Sequence, residues 1–516
     1  MSFLKDVDTS TLPTIPEFYR GKTIFITGGS GFMGKVLIEK LLYSCTDLKR
    51  IYLLMRSKKG MSPEDRLKAL YSSPCFDRLR KERPGVYESK VVFIAGNVAE
   101  LGLGITAEDR TKIISETNII FHVAASVRFD DPLKYAVMIN LRGTREVVDL
   151  GKEVKNLDVL VHVSTSYLNT YRDSIEEVVY PPHADWREVI SVCENTDDST
   201  LDVLSPKFLG TLPNTYVFAK QMAEHMVYEQ RGKLPIVIIR PSVVIGSVLE
   251  PMPGWIESFN GPNGICVGVG KGILRVLYST SDSLLDYMPV DLAIRHFLVA
   301  SWLTGTRKIQ PMDDIPIYHC CSGDVVKITM KEVVETGLAN QMHSPLDNPL
   351  WAINCTVTSS KLMFKFWFLL LHLLPAVLVD SLLLICGKSP MLLKVQKKIY
   401  TANLALEYFM TQRWNFNNSN FVNIRSAIKP EDVDQFYYGL EKQDVTEYFK
   451  TAFLGGRKFL MKEKDEDIPK ARTHLWRITV LDKTLKALCL GFIVWKIIQS
   501  NVLGNFLNYL FDVLFG

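Results

Sequence analysis

The stretch Thr27-Gly28-Gly29-Ser30-Gly31-Phe32-Met33-Gly34 limits what this chain can fold into more than any other. It follows an apolar, strand-like run, Thr23-Ile24-Phe25-Ile26, and opens a helical pattern over residues 35–43. A strand, a glycine turn and a helix in that order can take the pyrophosphate of a dinucleotide on backbone amides at the helix N-terminus. Gly28 allows the tight turn, Gly31 lets backbone amides approach the pyrophosphate, and Gly34 packs helix against strand. Thr27 and Phe32 complete this candidate cofactor-binding turn.

Further apolar runs recur at 51–55, 91–94, 119–123, 159–163 and 236–239, most of them short and continuous. Strands buried on both faces of a parallel sheet have that pattern. Helical stretches over 133–154 and 216–231 separate several of them. The alternation predicts an α/β fold, a doubly wound parallel sheet of the Rossmann type, between residue 22 and about 245.

Far from the glycine turn, Tyr216-Val217-Phe218-Ala219-Lys220 sets a phenol and an ammonium one helical turn apart on one face. The Lys can favour ionisation of a Tyr whose ordinary pKa is about 10. Together with a nucleotide turn, the pair suits an oxidoreductase that moves a hydride and a proton. Most Tyr-x3-Lys pairs are ordinary helix faces, and the spacing recurs at Tyr438/Lys442 with nothing upstream to support it. Here, however, the fifth strand ends in His162-Val163-Ser164-Thr165-Ser166-Tyr167. Hydroxyls at a strand end can donate to the oxyanion formed when hydride attacks a carbonyl. Thr165 is the first choice, with Ser164 and Ser166 behind it; capping of the strand end explains any one of them equally well.

A carboxylate at the end of the second strand would bind the ribose 2′-hydroxyl of NAD. This chain has Arg56-Ser57-Lys58-Lys59 there. Three positive charges point to the 2′-phosphate of NADP, a solvated basic loop being the plainer alternative. Asn97 and Ala124, after the third and fourth strands, stand at the carboxyl edge where open sheets bind ligands. Asn140 in the next helix either holds Lys220 through water or has no role.

Charge is nearly balanced, 60 Lys+Arg against 56 Asp+Glu, so nothing suggests nucleic acid. Nine scattered cysteines without a CxxC fit a reducing compartment. No histidine spacing resembles HExxH, and no metal is expected. The N-terminus has no apolar signal region, and Leu514-Phe515-Gly516 is not a peroxisomal Ser-Lys-Leu address. Pro and Gly crowd residues 251–272, a candidate substrate-facing loop. Residues 366–386 are apolar and long enough to span a bilayer, yet Asp380 would be costly in lipid, so a spanning helix and an interfacial or buried one stand equal. The tail over 487–514 is apolar again, broken by Lys496, Asn501, Asn505 and Asp512 and preceded by Arg472, Arg477, Lys483 and Lys486. Membrane attachment with the catalytic domain in the cytosol is the expectation.

The glycine turn, the strand-end hydroxyl and Tyr-x3-Lys resemble the extended short-chain dehydrogenase/reductase superfamily. Within it, Arg240-Pro241-Ser242-Val243-Val244, Glu250-Pro251-Met252-Pro253-Gly254-Trp255, Gly261-Pro262-Asn263-Gly264 and Leu406-Glu407-Tyr408-Phe409 are similar to alcohol-forming fatty acyl-CoA reductases of the animal type. The resemblance covers essentially the whole chain. It implies a reductase domain with substrate loops over 20–300, a smaller, mainly helical C-terminal domain over 355–460 and a membrane-associated tail over 470–516. It also implies reduction of a long-chain fatty acyl-CoA to the aldehyde and then the primary alcohol, two NADPH per acyl-CoA. Tyr216, Lys220, Thr165 and Ser164 would be catalytic. Thr27, Gly28, Gly31, Phe32, Gly34, Arg56, Lys58, Asn97, Ala124, Pro241, Ser242 and Val243 would hold the cofactor together with Tyr216 and Lys220. A peroxisomal or endoplasmic reticulum membrane and its lipid are the implied setting. Many extended reductases have Asp at the place of Asn97, and the insertion over about 170–213 could shape the acyl channel. A sugar-nucleotide epimerase or steroid dehydrogenase of the same fold is the nearest rival, and a membrane-tethered scaffold with an inactive nucleotide site is a rival of another class. Oligomeric state is unread.

Overall fold

Seven parallel strands form the central sheet of the computed structural model: β1 (Thr23–Thr27), β2 (Arg50–Met55), β3 (Val91–Ala95), β4 (Ile119–His122), β5 (Val159–Val163), β6 (Ile236–Pro241) and β7 (Ile317–Cys320). Their order is β7-β6-β5-β4-β1-β2-β3, and every neighbouring pair is parallel. The structure describes residues 11–514 apart from 260, 281–282, 307–313, 324, 442, 501–503, 505–508 and 510–511. Residues 1–6, Lys442, Asn501, Asn505 and Phe515-Gly516 thus lie outside the described residues.

All five residues of β1 and of β5 are buried, as continuous Val/Ile-rich runs require when helices cover both faces. On one face lie α1 (Phe32–Ser44) and α4 (Val290–Thr306), whose residues share one apolar core with Ile24, Ile26 and Val161. On the other face a second core joins Phe25 and Ile120 to α2 (Gly143–Glu153) and α3 (Thr215–Tyr228). The doubly wound sheet is therefore as expected. Its last strand lies beyond residue 300 and adds an edge that the alternation of apolar runs did not reveal.

The order of strands reverses between β1 and β4, the place where open sheets bind ligands. Thr27 at the end of β1 is in register with His122 at the end of β4, so the glycine turn and the β4 loop open at the same edge.

The insertion over 170–213 does not shape the channel directly. Its helices, Trp186–Asn195 and Asp198–Leu209, bury Val189, Ile190, Cys193 and Leu201 in the core beneath α2 and α3. Apolar spacing on those short helices needs a core to cover it, and the outer face of the reductase domain supplies one. The insertion acts one layer back: Ser174–Ile175 pairs with Asn415–Phe416, and the Thr170 carbonyl accepts from the Tyr408 hydroxyl (2.9 Å) and Trp414 Nε1 (2.8 Å).

Beyond the sheet the chain is mainly helical. One apolar helix, α5 (Lys361–Ile385), turns back into α6 (Leu392–Thr411); α7 (Val445–Gly455) and the long α8 (Ile468–Gln499) follow. Phe364, Phe368, His372, Ala376 and Asp380 recur every fourth residue along α5 and are buried. The Asp380 carboxylate accepts from the amides of Met391, Leu392 and Leu393 at 2.9–3.1 Å and so holds the start of α6. That placement answers its apparent misfit in an apolar run. The opposite face, with Leu378, Leu382 and Ile385, is exposed. Among the described residues α5 is the one helix long and apolar enough to cross a membrane.

Candidate active site

The glycine turn is shaped by what it touches. Gly28 has φ +77°, and a Cβ there would stand 2.6 Å from the Ala124 amide nitrogen. A Cβ on Gly34 would meet the Gly28 carbonyl oxygen at 2.3 Å. Only glycine at both positions lets β1, α1 and the β4 loop converge, and the resulting cradle fits a dinucleotide pyrophosphate. Thr27 sits behind the turn, not in the cavity. Its hydroxyl donates to His122 Nδ1 (2.8 Å) and accepts from the Ala124 amide (3.3 Å). His122 Nε2 lies 3.0 Å from the Thr144 hydroxyl, which donates to the Asn140 carbonyl (2.7 Å). Burial, with Lys220 nearby, pushes His122 down to about 3, so it serves as a neutral brace.

Asn140 lies in a widened turn over Val137–Arg142, ahead of α2. Its side chain bonds Ser126: Oδ1 accepts from the Ser126 amide and Nδ2 donates to the Ser126 carbonyl, both at 2.9 Å. Those two bonds fix the loop after β4.

Asn214 caps α3 by accepting from the Val217 amide (2.9 Å), which puts Tyr216 in the first turn and Lys220 one turn deeper. Lys220 is buried, and its Nζ donates to the Val163 carbonyl at 2.7 Å. Burial lowers it to about 8 against the upward pull of Glu224. Tyr216 is pushed up to about 12 by burial, while the Thr165 hydroxyl that faces it draws it down. Lys220 is not among the groups that shift the phenol here; one of its three ammonium hydrogens goes to the β5 carbonyl. The phenol stays protonated at neutral pH and is poised as a donor.

The three strand-end hydroxyls part company. Thr165 faces Tyr216 and makes a long bond, 3.5 Å, to the Pro241 carbonyl. Ser164 is buried and lines the cavity, and its hydroxyl finds no hydrogen-bond partner among the described residues. Ser166 donates to the Arg240 carbonyl (2.8 Å) and is committed to the scaffold.

One cavity of about 2210 Å³ joins these groups. Gly28, Gly31, Phe32, Gly34, Arg56, Asn97 and Ala124 line its cofactor end, and Ser164, Thr165, Tyr216, Lys220, Pro241, Ser242 and Val243 line its middle. Lys58 and Lys59 are exposed and do not line it. Asn97 Oδ1 accepts from the Ala99 amide (3.2 Å), which fixes its own loop. Tyr438, the other Tyr-x3-Lys tyrosine, is buried elsewhere and donates to the Phe421 carbonyl (2.9 Å). Among the described residues no three His, Cys, Asp or Glu side chains gather as a metal site.

A Male sterility protein NAD-binding model matches residues 26–297, and a second Male sterility protein model, Sterile, matches 371–463. Fatty acyl-CoA reductase 1 of Mus musculus is 36% identical over 94% of this chain and 93% of its own. Fatty acyl-CoA reductase 2 of Bos taurus is 33% identical over 95% of each. The chain belongs to the fatty acyl-CoA reductase family. It is an oxidoreductase with a site for a nicotinamide cofactor. The terminal R domain of the myxalamid biosynthetic pathway shares the fold, with a TM-score of 0.57, 19% identity and coverage of 84% of this chain and 90% of that one.

In this fatty acyl-CoA reductase family member the Pro/Gly-rich stretch divides in two. Glu257, Phe259, Gly261, Pro262, Gly264 and Ile265 line the cavity, as a substrate-facing loop would. The part before it does structural work. The Glu250 carboxylate accepts from Lys40, Arg78 and Arg295 at 2.7–3.1 Å, and Trp255 is buried against Phe459 with ring centroids 5.0 Å apart. Sequence reasoning missed the aromatic wall beside the phenol. Phe129 lies 6.0 Å from Tyr216 and 5.0 Å from Phe409, ring centre to ring centre. Phe409 belongs to the Leu406–Phe409 string, which carried the family likeness without saying what it faces.

Proposed function

We propose that the protein reduces long-chain fatty acyl-CoA to the primary alcohol through the aldehyde, with two NADPH consumed and CoA released. The observation that carries this reading is the single cavity running from the glycine turn, past Tyr216, to α6, where Ala402, Ala405, Leu406 and Phe409 are among its lining. NADPH, when bound, supplies the hydride for each step. The oxyanion that develops on the thioester carbonyl accepts hydrogen bonds from Thr165 and Tyr216, with the unpartnered Ser164 hydroxyl as a further donor. Tyr216 gives up its proton to that oxygen, and collapse of the hemithioacetal expels the thiol of CoA. Lys220 keeps a positive charge below the phenol and grips the nicotinamide ribose. The aldehyde is then reduced at the same site. Arg56 favours NADPH through the 2′-phosphate, with Lys58 a weaker participant because it is turned away from the cavity.

The same reading divides the chain into a reductase domain with its substrate loops, a helical C-terminal domain over about 355–460 and a tail from 470, membrane-attached and facing the cytosol, on the peroxisome or endoplasmic reticulum. The exposed apolar face of α5 supports attachment. The test is a substrate panel for the purified full chain with NADPH: palmitoyl-CoA should be turned over to hexadecanol, and turnover of sugar nucleotides or steroids in its place would overturn the proposal.

A further inference from the structure

The cavity has a basic pole that the reaction chemistry leaves unused. Lys394, Lys397 and Lys398 line it from the first turns of α6. All three are exposed, and none forms an ion pair with a carboxylate among the described residues. Lys394 faces Lys397 and Lys398 at i+3 and i+4, spacings at which like charges repel. The three carboxylates in the cavity wall are occupied elsewhere: Asp130 accepts from Arg128, Glu257 holds Lys35, and Asp286 accepts from the amides of Ser322 and Gly323. Arg56, a cationic group of the cofactor end, follows β2, one strand in from the edge strand β3.

We infer that these three lysines bind the phosphates of the CoA moiety, an inference that rests on the proposed acyl-CoA activity. The helix acts as a ruler. Phe409, on the same cavity wall, reaches Tyr216 through Phe129. From Lys394 and Lys398 to Phe409 is 15 and 11 residues, about 22 and 17 Å along the axis at 1.5 Å per residue. An extended pantetheine arm bridges such a separation, which sets the thioester beside the phenol and the pyrophosphate and 3′-phosphate among the ammonium groups. Ala402, Ala405 and Leu406 leave a smooth strip between the two ends. The cavity volume is well above the 300–1,000 Å³ of an ordinary ligand site, as two large nucleotides sharing one trough require.

The test compares two thioesters, palmitoyl-CoA and S-palmitoyl-pantetheine, which lacks the phosphates. The full chain in detergent should show a lower KM for palmitoyl-CoA. Replacing Lys394, Lys397 and Lys398 together by Ala should raise that KM about tenfold or more while the KM values for palmitoyl-pantetheine and NADPH stay within about twofold. A triple Arg variant should keep the wild-type preference. If the Ala variant fails to fold, the wild-type salt response decides: KM for palmitoyl-CoA should climb with KCl and that for palmitoyl-pantetheine should not. Equal changes for both thioesters, or none for either, would overturn the inference. So would a variant that keeps its KM for palmitoyl-CoA but no longer binds phosphatidylserine vesicles, since the lysines would then serve lipid headgroups. A wild type inactive on both thioesters would instead sink the acyl-CoA reading itself.

Discussion

Gly254 and Gly455 meet backbone to backbone, so closely that a Cβ on Gly455 would stand 1.8 Å from the Gly254 carbonyl oxygen. Gly254 has φ +71° and would itself bring a Cβ to 2.5 Å from the Thr451 carbonyl oxygen. This contact locks the end of α7 onto the reductase domain next to the Trp255–Phe459 ring pair. Gly455→Ala should therefore cost about 1–3 kcal/mol of stability, read as a lower unfolding midpoint. A Cβ on the adjacent Gly456 would meet nothing within 4 Å among the described residues, so Gly456→Ala is the matched control and should be neutral or slightly stabilising.

Lys220 ties stability to pH. Its folded-state pKa, about 8, lies below the ordinary 10.5, so between those values the unfolded chain holds a proton that the folded chain has released. Stability contributed by this group therefore rises with pH through that window. Compared with Lys220→Met, the wild type should gain about 2–3 kcal/mol between pH 7.5 and 10 in denaturant titrations. A difference that does not change with pH would show that burial does not depress the ammonium.

Cofactor choice should rest on Arg56. Arg56→Ala should raise KM for NADPH about tenfold while leaving KM for NADH within about twofold, because only NADPH carries the 2′-phosphate. Lys58→Ala should have a much smaller effect, since its side chain does not line the cavity. Steady-state kinetics with both cofactors checks each point.

Membrane attachment should depend on the outward face of α5. Leu378, Leu382 and Ile385 are 58%, 60% and 82% exposed, so changing all three to Ser removes apolar surface without touching the core. The variant should move substantially from the membrane pellet to the supernatant and unfold at the wild-type temperature. Removal of residues 487–516 is the companion experiment. A cut at 470 would also destroy packing, because Asp482 accepts from Trp351 Nε1 (2.6 Å) and Arg472 donates to the His343 carbonyl (2.7 Å).

Features carried by local pattern were legible in the sequence. The glycine turn, β1 to β6 and the helix that carries Tyr216 announce themselves through neighbouring residues, and Thr165, Tyr216 and Lys220 do converge. What depends on distant partners was not. Ile317–Cys320 is four residues long and becomes a sheet strand only by pairing with β6. No spacing rule reports the bond from Lys220 to the Val163 carbonyl. The insertion and the Glu250–Trp255 string likewise declare their structural roles only once the domains are packed. Asp380 misleads for the same reason: its partners, the amides that open α6, lie 11–13 residues away across a turn.

A two-step reduction that uses the Tyr216 proton fixes the ratio of NADPH oxidised to free CoA thiol released from palmitoyl-CoA, which can be counted in the wild type and in Tyr216→Phe. The wild type should oxidise two NADPH per CoA with hexadecanol as product, and turnover should be lower by about 100-fold or more in the variant with NADPH affinity kept. One NADPH per CoA with palmitaldehyde accumulating, or near-normal turnover in Tyr216→Phe, would contradict it.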